Sequence, residues 1–109
     1  PWNEVWRLGA NMATVLRTDR DLVIGGAHVP PGSYSLWLIP REGDALLVVN
    51  RQSGQFGTQY DQRQDLVRIP MRRRTEAMSV ETLTIDLAAS LLRVVWDRTA
   101  FEVSVRGSR

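Results

Sequence analysis

The 109-residue chain has no cysteine, which removes disulfides, zinc–thiolate centres and cysteine nucleophiles from the chemistry open to it. It also has no lysine, so all fourteen basic residues are arginine. Schiff-base catalysis and the phosphate-loop lysine are excluded with it. His28 is the sole histidine, too few for a histidine-based transition-metal site. No apolar run approaches the ~20 residues needed for a membrane-spanning helix. No stretch reads as a signal peptide, and the chain opens on Pro1, so we expect a trimmed or processed start.

What is present is charge in balance. Twelve acids offset the fourteen arginines, leaving a net charge of +2 despite a pI near 9.9. Up to residue 55 the five arginines are matched by Glu4, Asp19, Asp21, Glu42 and Asp44; the excess lies beyond. A nucleic-acid binder would show an uncompensated basic face or run, so no nucleic-acid partner is expected. Arginine does favour planar, bidentate pairing with carboxylates or phosphates, which suits an interface.

The hydrophobic pattern is that of strands. Val29-Pro30-Pro31-Gly32 predicts a type II turn, with Gly32 supplying the positive φ. A strand over about 33–39 follows, and a polar loop, Arg41–Asp44, connects it to the apolar run 45–50 in a hairpin. Thr14–Arg17 is β-prone, and Leu22-Val23-Ile24 runs into a turn or bulge at Gly25-Gly26. Beyond residue 65, Val67/Ile69/Met71, Leu83/Ile85/Leu87, Leu92/Val94/Trp96 and Phe101/Val103/Val105 alternate with polar neighbours. The last two segments form a second hairpin around Arg98-Thr99. Residues 50–64 make a polar, glycine-punctuated loop anchored only by Phe56 and Tyr60, longer than usual connections. The expectation is one all-β domain over 1–109: an antiparallel β-sandwich of about eight short strands, jelly-roll or Greek-key-like.

Candidate chemistry is sparse. His28 reads as a turn residue, the serines include no nucleophile elbow, and most acids fall at turns or solvent-facing strand positions. Asp19 and Asp21 lack the further ligands of a calcium loop. No catalytic residue, metal or cofactor is therefore expected, and the protein is read as a non-enzyme. Arg72-Arg73-Arg74 follows a strand end, either as a solvated loop or as a patch for anions and acidic surfaces. Trp96 and Phe101 lie on the inward phase, as do Tyr34, Leu36 and Leu38, whereas Trp37 lies on the opposite one. Trp2 and Trp6, with Arg7 and Asn11, either anchor an interface or plug one end of the sandwich.

Several segments together resemble the bacterial family known as domain of unknown function 2911. They are Pro1, Val5-Trp6-Arg7-Leu8-Gly9-Ala10-Asn11, Ala13-Thr14, and Val29 through Trp37. Asn50, Phe56-Gly57…Tyr60, Asp65…Arg68, Glu81…Ile85 and Leu92…Thr99 extend the likeness over nearly the whole chain. Phe56 stands where the family has tryptophan, and the strand usually preceding Trp6-Arg7 is missing, as a trimmed start would leave it. The resemblance implies an extracytoplasmic (periplasmic or membrane-peripheral) location and no established reaction. The expected role is a non-catalytic extracytoplasmic binding or scaffolding module, one form of which is a membrane-extrinsic accessory subunit stabilising a larger membrane protein complex of respiratory or photosynthetic type. Its candidate partner-binding residues are Trp2, Trp6, Arg7, Asn11, Trp37, Phe56, Tyr60, Arg72, Arg73 and Arg74. The alternative is a β-sandwich binding carbohydrate or small molecules on an aromatic platform such as Trp37 with Tyr60; an uncharacterised hydrolase comes behind both.

Overall fold

A computed structural model describes residues 6–7, 14–53, 60–75, 82–86, 88–96 and 99–108. Its strands are β1 (Trp6–Arg7), β2 (Thr14–Thr18), β3 (Leu22–Ile24), β4 (Ala27–Val29), β5 (Gly32–Pro40), β6 (Ala45–Asn50), β7 (Asp65–Thr75), β8 (Thr82–Asp86), β9 (Leu91–Trp96) and β10 (Thr99–Gly107). Every pairing is antiparallel. Among the described residues there is one 3-10 turn, Gln62–Gln64, and no α-helix. The fold is all-β, as the alternation predicts, with ten strands among the described residues in place of about eight. The two additional ones are β1, paired along β5, and β4, created by the turn at Gly25-Gly26.

Strand β5 is the central element of the first half. Its inner face carries Tyr34, Leu36 and Leu38 into the main core; its outer face carries Ser35, Trp37 and Ile39, also buried. Burial on both faces explains the unbroken apolar run from Leu36 to Ile39. One edge pairs with β6, from Ser35↔Asn50 to Pro40↔Ala45, and the other is shared by β2 and β1. The β5–β6 loop closes through an Arg41 N–H donated to the Asp44 carbonyl at 2.8 Å, with the Arg41 guanidinium forked onto the Asp44 carboxylate.

The expected type II turn is not formed. Gly32 has φ +155° as the first residue of β5, far from the value near +80° that such a turn needs. Glycine is suited here for a different reason: a Cβ would lie 3.3 Å from the Tyr34 hydroxyl, which donates to the Pro30 carbonyl at 2.6 Å.

Strand β7 joins the two halves. Residues from Asp65 to Met71 pair with β6, and Arg72 to Thr75 pair with β10. β10 in turn holds β9 along one edge, while its last residues, Val105 to Gly107, pair with β3. β7 to β10 therefore lie in the spatial order β7-β10-β9-β8, a Greek key. The sheet curls into a sandwich-like half-barrel around a core that includes Ile24, Leu36, Leu47, Ile69, Leu92 and Phe101.

Several local expectations need correction. Arg72, Arg73 and Arg74 lie within β7 and not after it, because β10 supplies backbone partners as far as Thr75. Ile85 is 38 % exposed, since among the described residues β8 is an edge strand paired only with β9. Val95, on the polar phase of β9, is buried all the same. Leu87 and the side chain of Trp96 lie outside the described residues.

The β3–β4 turn has φ +55° at Gly25 and +84° at Gly26, the two positive values of a type I′ hairpin. The two glycines differ in their surroundings. A Cβ on Gly25 would lie 2.5 Å from Ile69 and 2.6 Å from Val103, whereas one on Gly26 meets nothing within 4 Å. Gly25→Ala is expected to lose about 3 kcal/mol or more, combining left-handed strain with overpacking of the β7–β10 joint. Gly26→Ala should lose only about 1–2 kcal/mol from strain alone. Urea unfolding of both variants checks the contrast; equal losses would refute the close packing at Gly25.

Candidate functional site

The polar residues converge on the outer face of β5, β6 and β7, and a bulge brings them there. Val49 pairs with Val67 but Asn50 pairs with Asp65, so Leu66 is the extra residue on β7. Without it, Asp65 would share the inward phase of Val67 and Ile69. With it, Leu66 packs on the core and Asp65 faces outward beside Asn50 and Arg68.

Asp65 is the hub. Tyr60 Oη lies 2.6 Å from both its carboxylate oxygens, Asn50 Nδ2 donates at 2.8 Å and Arg68 Nε at 2.8 Å. Arg68 Nη2 also donates to the Tyr60 oxygen at 3.0 Å. Asn50 is fully buried; its amide donates to the Asp61 carbonyl and its oxygen accepts from Gln52 N–H. Gln52 returns a side-chain acceptor to Asp61 N–H, and Arg51 N–H donates to the Gln64 carbonyl. The two ends of the long loop are thus clamped together. Burial first, then its bond to Asp65, pushes the Tyr60 phenol up to about 12, against a smaller opposing pull from Arg68. The Arg68 guanidinium is raised chiefly by Asp65. A phenol held protonated in this way is a poor base at neutral pH, so the cluster serves as a tie.

Beneath Tyr60 lies Trp37, its ring centroid 5.1 Å away at a 55° tilt and its indole N–H donated to Ser35 Oγ at 2.9 Å. Trp37 is only 5 % exposed, packed with Ile39, Val48 and Leu46. The expected Trp37–Tyr60 platform is therefore an interior contact and not a displayed surface. The physical reason is that Trp37 heads a second, smaller core on the outer face, where Tyr60 covers it. Asn50, Asp61, Asp65 and Arg68 were absent from the candidate residues; alternation, read without the bulge, separates Asp65 from Arg68.

The other candidates divide. Backbone register sets Trp6 opposite Leu38 and Arg7 opposite Trp37. The side chains of Trp6 and Arg7, together with Trp2, Asn11 and Phe56, lie outside the described residues. Arg72, Arg73 and Arg74 are all exposed. Arg73 donates to the Glu42 carbonyl at 2.7 Å, Arg74 pairs with Glu102 at 3.2 Å, and Arg93 reaches the same carboxylate. Arg72 has no ion pair among the described residues. His28 lies in β4, not in a turn, and pairs with Asp21 on an exposed surface.

A groove opens on the inner side of the curl, between the edge strand β2 and the strands β3, β8, β9 and β10. It has a volume of about 1000 Å³. Its deep wall is Ile24, Leu92 and Val105 from the core, with Leu16, Leu22 and Ile85 nearer the mouth. Arg17, Asp19, Arg20 and Arg106 border it. None of these four has an ion pair among the described residues. Arg20 is placed most closely: a Cβ on Gly107 would sit 3.6 Å from its Cδ, an ordinary contact distance, so its side chain lies beside the end of β10.

These features define an antiparallel β half-barrel with a stapled outer face and an open, arginine-bordered apolar groove. Residues 1–105 match the family described as "Protein of unknown function (DUF2911)", and the chain belongs to it. Comparison with curated proteins gives no match, and comparison with solved structures gives none.

The cluster makes two checkable predictions. Asn50→Ala leaves buried partners of the clamp unsatisfied and should lose about 2–3 kcal/mol in urea unfolding. Because the folded-state pKa of Tyr60 lies above the ordinary phenol value of 10.0, its contribution is fully present below pH 10 and is lost as pH rises through about 12. Stability should fall less steeply across that window in Tyr60→Phe than in the wild type. An absorbance titration of Tyr34→Phe, with Tyr60 the sole phenol, should show a midpoint near 12; a midpoint at 10 would refute the buried hydrogen bond.

Proposed function

We propose that this domain is a non-catalytic binding module that works outside the cytoplasm, as a membrane-extrinsic accessory subunit of a larger membrane assembly. The observation that carries the reading is how the charges are used. Asp65, Asp61 and Glu102 are engaged in fastening loops and strands, while Arg17, Arg20, Arg72 and Arg106 are exposed without an ion pair among the described residues. An exposed set of arginines suits carboxylates on a partner, because the guanidinium fork pairs with them bidentately. The extracytoplasmic placement is supported by the family resemblance.

The test is retention on native membranes. Tagged protein expressed in its own cells should sediment with the membrane fraction at low salt and be released by salt at about 0.5 M, where the screening length is only a few ångströms. Protease treatment of the membranes before adding back the purified chain should abolish rebinding, as should Arg72→Glu combined with Arg17→Glu. Recovery in the cytoplasmic fraction, or rebinding unaffected by these substitutions, would overturn the reading.

A further inference from the structure

The groove has a polarity of its own. The β10 residues lining it are Val105, Arg106 and Gly107, and Leu92 is paired with Val103 one step further on. From Gly107 to Val103 is four residues of strand, a span of roughly 13 Å. At the Gly107 end lies Arg20, with Asp19 beside it on the rim; Arg17 and Arg106 border the groove from strand positions whose side chains share the outward phase of Val15 and Ser104. At the other end lie Leu92 and Ile85, the latter 38 % exposed on the edge strand β8 and paired in register with Leu92. The groove's volume is at the upper end of the range of about 300–1000 Å³ that suits small ligands.

We propose that this groove binds a long-chain fatty acid as its carboxylate, with the head group at Arg20 and the chain running over Leu22, Leu16 and Leu92 toward Ile85. The charge pattern selects the occupant. An arginine at one end of an apolar trough complements a molecule with one anionic end and an otherwise apolar body. A sugar would leave the apolar wall wet, and a short carboxylate would leave it uncovered. Burying the acyl chain supplies affinity in proportion to the apolar area removed from water, while the guanidinium fixes the orientation. The inference deepens the reading of the domain as a binding module and adds a ligand to it.

Oleate, kept below its micelle concentration, should displace the fluorescent fatty acid cis-parinarate from the purified full chain with one site per molecule. Methyl oleate, which keeps the chain but loses the charge, should compete about tenfold more weakly, the effect of about one charge-assisted hydrogen bond. Arg20→Gln should weaken oleate by a similar factor and bring it level with the ester. Ile85→Asp, at a solvent-exposed position that leaves the core intact, should abolish binding. Val15→Asp places the same charge on an equally exposed residue, whose register partner Ser35 lies on the outer face, and should leave binding unchanged. Circular dichroism confirms that each variant is folded. Absence of saturable oleate binding, equal affinity for the ester, or equal sensitivity to Ile85→Asp and Val15→Asp would overturn the proposal. Membrane retention does not depend on these outcomes, so failure of either idea is seen separately.

Discussion

After Met71 the hydrogen-bond partner of β7 changes from β6 to β10, and the rest of the molecule follows from that change. A strand that serves two partners in succession must turn the sheet through a corner. The inner faces of β5–β6 and of β9–β10 then meet around one core, with Ile69 and Met71 at the bend. Gly25 packs directly against this joint, within what would be van der Waals overlap for any larger residue. The hairpin β3–β4 can lie beside β10 only because its turn has no side chain there.

The bulge at Leu66 links the corner to the outer face. One inserted residue reverses the phase of the strand upstream of it, so Leu66 joins the core while Asp65 leaves it. Asp65 then collects Tyr60, Asn50 and Arg68, and those bonds fasten both ends of the long loop over Trp37. A buried polar group such as Asn50 is tolerated because its donor and acceptor capacity is met on the spot. The polar chemistry concentrated on this face is therefore structural, and the acids in it are already engaged.

The curl also leaves a concave side. β2 and β8 are both edge strands, each paired on one side only among the described residues, and the groove lies between them. Its apolar wall continues the core outward, and Arg20, in the turn before β3, stands at one end of it. Two surfaces of the domain thus have opposite characters. One is closed by internal hydrogen bonds, and the other presents apolar area with Arg20 at one end.

The all-β class, the β5–β6 and β9–β10 hairpins and the inward set Tyr34, Leu36, Leu38, Phe101 and Val103 were determined by sequence alone. Period-two alternation and turn residues act over a few neighbours and need no tertiary context. The same local signals also carried the likeness to the family, through Trp6-Arg7 and the Pro-Gly-Ser-Tyr-Ser-Leu-Trp segment. Only the tertiary structure decided that Trp37 is interior, that Arg72–Arg74 are strand residues, and that Asp65 and Arg68 act together. Each of those depends on which strand lies alongside, and in the last case on one unpaired residue that flips a strand's phase. The groove was illegible for the same reason: Leu16, Arg20, Ile85 and Val105 are far apart in the chain, and only the corner in β7 brings them to one place.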